Sequence, residues 1–202
     1  MVLLSPFTAH DLGDGLHFLT GNLPDDLRWD AATFEAAWAL HPDTKPHIWM
    51  HGKEVQIPRW QQAYGLNYHF SGQTSTAVPL PPILEPLLAW ARRAVHPALN
   101  AVLLNWYEGP AHYIGPHHDS TRNMAPGAPI VTMSFGEERV FRLSRGTGVD
   151  RETLDFRAPA GTVFVLPRDT NEVWKHAVPK SMRYTGRRIS VTVRGFESLQ
   201  ME

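Results

Sequence analysis

Cysteine is absent from all 202 residues, and that omission excludes thiolate catalysis, cysteine-ligated zinc, iron–sulfur clusters and disulfide frameworks. A reducing compartment fits, and the expected location is cytoplasmic. Nowhere do about 18 uncharged apolar residues run together, so no membrane-crossing helix and no membrane partner are expected. The opening stretch MVLLSPFTAHDLGDG has no basic segment leading into a long apolar run, unlike a secretory signal. Neither sign of charge is in excess. Nineteen Lys and Arg against 20 Asp and Glu give a net charge of −1, so nucleic-acid binding would need a local basic patch. Repeats, low-complexity tracts and long linkers are also missing. With 43% apolar residues, the chain can bury one substantial core, and the expectation is a monomer with one domain over residues 1–202.

Two stretches have helical character. Asp30 stands before Ala31-Ala-Thr-Phe-Glu-Ala-Ala-Trp38, where it can cap a helix that sets Phe34 and Trp38 toward one side. From Pro82 to Val95, Ile83, Leu84, Leu87, Leu88 and Ala91 form an apolar stripe with prolines at its entrance. From about residue 100 short β-branched and aromatic runs take over, at 101–107, 129–134, 139–143, 162–166 and 187–193. Gly and Pro in the intervals suit hairpin connections. Helices first and short strands after predict a mainly β fold with supporting helices, a double-sheet jelly roll of the kind that cupin-like metal sites use.

The chemistry-bearing residues are Asn105, Tyr107, His117, Asp119, His176, Arg188 and Arg194. Two imidazoles and one carboxylate are the inventory of a non-haem iron site, able to occupy one face of an octahedral Fe(II) and leave the other open. On an extended segment His117 and Asp119 share a face while His118 points elsewhere. A lone His-x-Asp pair is weak, because these residues also meet in turns. By parity Arg188, Ser190, Thr192 and Arg194 lie on one face of their strand and Ile189, Val191 and Val193 on the other. Such a polar stripe can hold a dicarboxylate such as 2-oxoglutarate, since a guanidinium grips a carboxylate through two parallel bonds. A solvated edge strand with a salt bridge or two is the alternative.

Order and spacing together resemble the AlkB family of Fe(II)/2-oxoglutarate-dependent dioxygenases, closest to its DNA-repair branch. The likeness covers Pro58-Arg-Trp-Gln-Gln-Ala-Tyr-Gly65, Tyr68-His-Phe-Ser-Gly72, Asn105-Trp-Tyr107, Ile114-Gly-Pro-His-His-Asp119, Ala125-Pro-Gly-Ala-Pro-Ile130, Ser134-Phe-Gly136 and the strand from Arg188 to Arg194. The resemblance implies His117, Asp119 and His176 as iron ligands. It also implies Arg188 on the distal carboxylate of 2-oxoglutarate, with Arg194, Asn105, Tyr107, Ser190 and Thr192 completing that site. O2 would be the second co-substrate. The implied reaction is oxidative demethylation of alkylated nucleobases in DNA, with RNA as a further polymer, releasing succinate, CO2 and formaldehyde.

Residues 46–72 resemble the family's nucleotide-recognition lid, in which Tyr68 and Phe70 would hold a flipped base and replace part of its lost stacking. Core packing is the alternative for both rings. Arg59, with Lys53 and His51, stands where it could contact phosphate. Two departures matter. Thr121 occupies the position at which the repair enzymes carry an acidic side chain, and a hydroxyl offers no negative charge to a cationic base. Ser190 stands where many members have Asn. Thr121 and the balanced net charge leave room for a protein or other non-nucleobase substrate, and a non-catalytic binder of modified nucleic acid is a third reading.

Overall fold

The period-two patterning of the second half resolves into paired strands in a computed structural model that describes residues 7–50, 52–70 and 73–197. In chain order the elements are β1 (Thr8–Asp11), β2 (His17–Asn22), α1 (Ala31–Trp38), β3 (His47–Met50), β4 (Lys53–Gln56), β5 (Trp60–Tyr64), β6 (Tyr68–Phe70), β7 (Gln73–Ser75) and α2 (Glu85–Ala94). They continue as β8 (Ala101–Glu108), β9 (Ile114–His117), β10 (Ile130–Gly136), β11 (Arg139–Arg145), β12 (Glu152–Ala158), β13 (Thr162–Leu166), α3 (Arg168–Val173), β14 (Lys175–Val178) and β15 (Arg187–Arg194). Strands therefore precede the helices as well as follow them. Among the described residues a seven-stranded sheet has the order β1-β2-β13-β10-β15-β8-β5, and a four-stranded sheet the order β12-β11-β14-β9. All their pairings are antiparallel, as a jelly roll requires.

Alternation on the central strands fixes the layers. Val163 and Val165 of β13, with Ile189, Val191 and Val193 of β15, join the cluster that α2 completes through Leu87, Trp90, Ala91 and Ala94. Phe164 and Leu166 face the other way and pack with Phe141, Leu143 and Trp174 between the two sheets. The larger sheet thus has helices on one face and the smaller sheet on the other. Full burial of each large side chain contributes about 1.5–3 kcal/mol.

Local devices seat the helices. The Asp30 carboxylate accepts a bond from the Thr33 N–H at 2.8 Å, a cap worth about 1 kcal/mol, and the Trp106 indole donates to the Ala37 carbonyl at 3.0 Å. α2 starts with Pro86 in its first turn and ends with Arg92 and Arg93 near its carbonyl end, where cations are favoured. Gly136 ends β10 at φ +83°, and a Cβ there would fall 2.4 Å from the Arg187 carbonyl. Only glycine permits that approach, which sets Gly136 opposite Arg188.

Candidate active site

The smaller sheet supplies both imidazoles. His117 ends β9 directly across from His176 of β14, so their rings lie 4.2 Å apart. Asp119 follows after the strand has ended, yet its Oδ1 comes within 3.4 Å of His117 Nε2 and 3.8 Å of His176 Nε2. The three ligand atoms all lie within 4.8 Å of one another. His117 Nδ1 sits 2.9 Å from the Gly115 carbonyl, a contact that needs the proton on Nδ1 and leaves the Nε2 lone pair for a metal. Among the described residues this is the one group of three or more such side chains close enough to share an ion.

Electrostatics keep Asp119 and His176 in their ligating forms. Burial alone would raise the Asp119 carboxyl, but the Arg194 guanidinium and the two imidazoles outweigh it and hold Asp119 far below the usual carboxylate range. Burial, reinforced by His117, pushes His176 down to about 3. Arg194 Nη1 lies 3.3 Å from Asp119 Oδ2 and its guanidinium covers the Tyr68 ring at 3.8 Å. The Tyr68 hydroxyl in turn donates to Asp119 Oδ1 at 3.3 Å, and burial lifts that phenol to about 12.

The larger sheet supplies the cations. β15 runs between β10 and β8, placing Arg188 beside Tyr107 and Ser190 beside Asn105. The parity expected for this strand holds: Ser190 and Thr192 line the cavity while Ile189, Val191 and Val193 enter the core. Arg188 is 0% exposed. One of its nitrogens donates to Ser134 Oγ at 2.8 Å, and Nε and Nη1 have no protein partner.

The cavity between the sheets measures about 860 Å³ and is lined by His117, Asp119, His176, Asn105, Tyr107 and Thr121 among others. Tyr68 also lines it. The Phe70 side chain and all of His51 lie outside the described residues. Arg59 is not on the surface, as a phosphate contact would need. It is buried, donating to Asn105 Oδ1 at 2.7 Å and Gln61 Oε1 at 3.1 Å, because β5 is the edge strand beside β8 and turns this segment inward. Within residues 46–72, then, part belongs to the large sheet, and the β3–β4 hairpin stands apart as a two-stranded unit.

Sequence reasoning missed Asn171 and Gln61. Asn171 bonds both peptide groups of Asp119; no periodicity marks it, because it sits in a one-and-a-half-turn helix. Gln61 lines the cavity with its Nε2 unpartnered.

A sequence model described as "2OG-Fe(II) oxygenase superfamily" matches residues 30–194. The DNA oxidative demethylase ALKBH2 of Homo sapiens is 36% identical over 152 residues, 71% of this chain and 58% of that protein. Its Arabidopsis thaliana counterpart is 29% identical over 217 residues, 91% of this chain and 68% of the relative. The chain spans 55% to 64% of the three mammalian relatives of this name. The solved structure of OsALKBH1 superposes with a TM-score of 0.58 at 14% identity, covering 93% of this chain and 100% of that one; it shares the fold.

Proposed function

This chain belongs to the 2OG-Fe(II) oxygenase superfamily, and from that premise we propose that it oxidatively removes alkyl groups from nucleobases in DNA, with RNA as a further polymer. Fe(II) is its metal, and 2-oxoglutarate and O2 are its co-substrates. Two imidazoles and one ionised carboxylate within reach of one point fit a divalent iron. The unpartnered Nε and Nη1 of the buried Arg188 fit a carboxylate, since buried donors are rarely left unpaired. Bound there, Fe(II) supplies the chemistry that couples decarboxylation of 2-oxoglutarate to hydroxylation of an alkyl carbon.

The residues of this chain do the rest. His117, Asp119 and His176 hold the metal. Arg188 receives the distal carboxylate of the dicarboxylate, while Asn105, Tyr107, Ser190, Thr192 and Arg194 form the walls around it. Asp119 stays ionised because Arg194 compensates its charge. Tyr68, which lines the cavity beside Arg194, is assigned to hold a base, and Thr121 to the same substrate end. A hydroxylated N-methyl group is a hemiaminal, which expels formaldehyde and restores the base.

The cavity carries this reading. Its volume of about 860 Å³ exceeds what a five-carbon dicarboxylate fills and lies in the range of clefts that enclose larger ligands, about 300–1,000 Å³. Ile48 and Val55 of the β3–β4 hairpin line the cavity, and Trp49, on the hairpin's other face by strand alternation, is 60% exposed. An indole held in solvent is suited to stacking on a base, so residues 46–72 are assigned as the recognition segment of one domain. A monomer is the proposed state. The name of the human and plant relatives, DNA oxidative demethylase, supports the same substrate, and the absence of cysteine supports a reducing, cytoplasmic setting.

The test is anaerobic loading with Fe(II) and 2-oxoglutarate, then admission of air in the presence of methylated oligonucleotides. Formaldehyde released in step with loss of the methyl mark is the expected result. Succinate with every oligonucleotide unchanged would refute the nucleobase assignment and turn the search to protein or other substrates.

A further inference from the structure

Asp119 is the one metal-binding side chain that no strand holds. β9 ends at His117 and its pairing with β14 does not extend beyond that residue, so the Asp119 peptide needs partners from elsewhere. Both come from one side chain. Asn171 Oδ1 accepts the Asp119 N–H at 3.0 Å, and Asn171 Nδ2 donates to the Asp119 carbonyl at 2.9 Å. A carboxamide is the side chain that offers an acceptor and a donor side by side, as a neighbouring strand would. Asn171 is 0% exposed, so water cannot readily replace it.

The anchor itself is held. Asn171 lies in α3, whose neighbouring Thr170 donates its hydroxyl to the His17 carbonyl of β2 at 2.8 Å. The helix closes through bonds from Asn171 N to Pro167 O at 2.9 Å and from Trp174 N to Thr170 O at 2.7 Å. The same segment then runs directly into β14 and His176. Asn171 therefore ties the loop carrying one ligand to the short stretch of chain carrying another.

We propose that Asn171 is the positioning residue of the metal centre, fixing the Asp119 carboxylate relative to His176 by clamping the Asp119 peptide. The proposal rests on the metal-centre reading above. Groups that orient metal ligands typically account for about 10- to 100-fold in metal affinity. Without the amide, the Asp119 N–H and carbonyl are buried and unpaired, and the loop must move to satisfy them.

The experiment measures Co(II) affinity of the metal-free protein, which needs no turnover, by the visible absorption of the bound ion. Asn171→Ala and the near-isosteric Asn171→Asp are compared with the unmodified protein and with Thr170→Val, which removes the helix anchor to His17 without touching Asp119. The expected result is Co(II) binding weakened by about 10- to 100-fold in both Asn171 variants, with an altered band shape, and a markedly smaller loss in Thr170→Val despite a lower melting temperature. Asn171→Asp keeps an acceptor for the Asp119 N–H but sets an oxygen against the Asp119 carbonyl, so it carries the prediction if Asn171→Ala does not fold. Unchanged affinity in the Asn171 variants, equal weakening in Thr170→Val, or loss of fold in both Asn171 variants would each overturn the assignment. Failure of the unmodified protein to bind Co(II) would instead refute the metal centre on which it rests.

Discussion

Replacing Arg188 by Met should move stability and co-substrate binding in opposite directions. Arg188 is fully buried and donates to Ser134 Oγ, and its Nε and Nη1 are unpartnered. Burial pulls its guanidinium down from the usual range, a sign that the charge is costly in the ligand-free protein. A thioether of similar reach removes that cost. Swapping buried ionic groups for apolar ones is often neutral or stabilising by about 1–4 kcal/mol, and in a chain of this size each kcal/mol moves the melting temperature by about 2–4 °C. The binding side is larger and opposite. Truncating one partner of a buried, hydrogen-bonded charge pair costs about 2–5 kcal/mol, which raises the 2-oxoglutarate Kd by roughly 30- to 5,000-fold. Thermal melts under argon with Mn(II), with and without 2-oxoglutarate, read both effects. At 100 times its Kd the co-substrate should stabilise the unmodified protein by about 2.7 kcal/mol and Arg188→Met by about 0.9 kcal/mol or less at that concentration. A variant with an undiminished 2-oxoglutarate shift would show that Arg188 is not the carboxylate anchor. A ligand-free variant that melts several degrees lower would show that the guanidinium holds the fold instead.

His117→Ala and Asp119→Ala should each abolish succinate formation, and normal turnover in either would mean that the metal sits elsewhere. Trp49→Ala should weaken binding to methylated oligonucleotides by about 1–3 kcal/mol, the worth of one stacked base; equal affinity in fluorescence anisotropy would remove the hairpin from the interface. His112 is lowered to about 4 by burial, then Lys45 and Arg139, while the unfolded chain titrates near 6.5. Between those values the unfolded state binds the extra proton, so this contribution is intact above about pH 6.5 and is lost as pH falls toward 4. Allowing for solvent screening, it amounts to at most about 2 kcal/mol. Urea midpoints at pH 7 and pH 5 should show the drop, and His112→Gln should shrink it; an unchanged slope would mean that other groups govern it.

How far the sequence discloses this molecule depends on whether the deciding interaction is local. The capped helix at Ala31–Trp38, the helix ending at Ala94 and the strand at Thr162–Leu166 follow from capping and periodicity alone. The two-sided reading of β15 follows from parity, which has no alternative once the strand is buried on both faces. β12 carries a weaker signal. Leu154, Phe156 and Ala158 alternate with Thr153, Asp155 and Arg157, but charged residues fill much of the strand and most of it is exposed. Burial therefore contributes little to it, and its pairing with β11 supplies the order, with Arg142 bonding Asp155 at 2.6 Å and Arg145 bonding Glu152 at 2.9 Å.

The same division runs through the site. His117 and His176 converge because two strands pair, and that pairing can be anticipated from strand-like runs. Asp119 converges for a different reason: a side chain 52 positions away clamps its backbone. Nothing within several residues of Asp119 or Asn171 requires that meeting, so local patterning cannot find it. Arg59 shows the converse error. A charged residue in a Pro- and Gln-containing stretch looks exposed, yet edge pairing of β5 with β8 turns it inward to Asn105. Its charge is met there by amide oxygens alone, and burial lowers its pKa. Arg59, Arg188 and Arg194 are all buried; Arg59 lines the cavity with Asp119, and Arg188 and Arg194 stand on β15, whose Ser190 and Thr192 line it. Such a surplus of positive charge is unfavourable in isolation and favourable once a dianion enters. The fold therefore bears in advance the desolvation of its cations, and the unpartnered Nε and Nη1 of Arg188 are donors already dry before a carboxylate arrives.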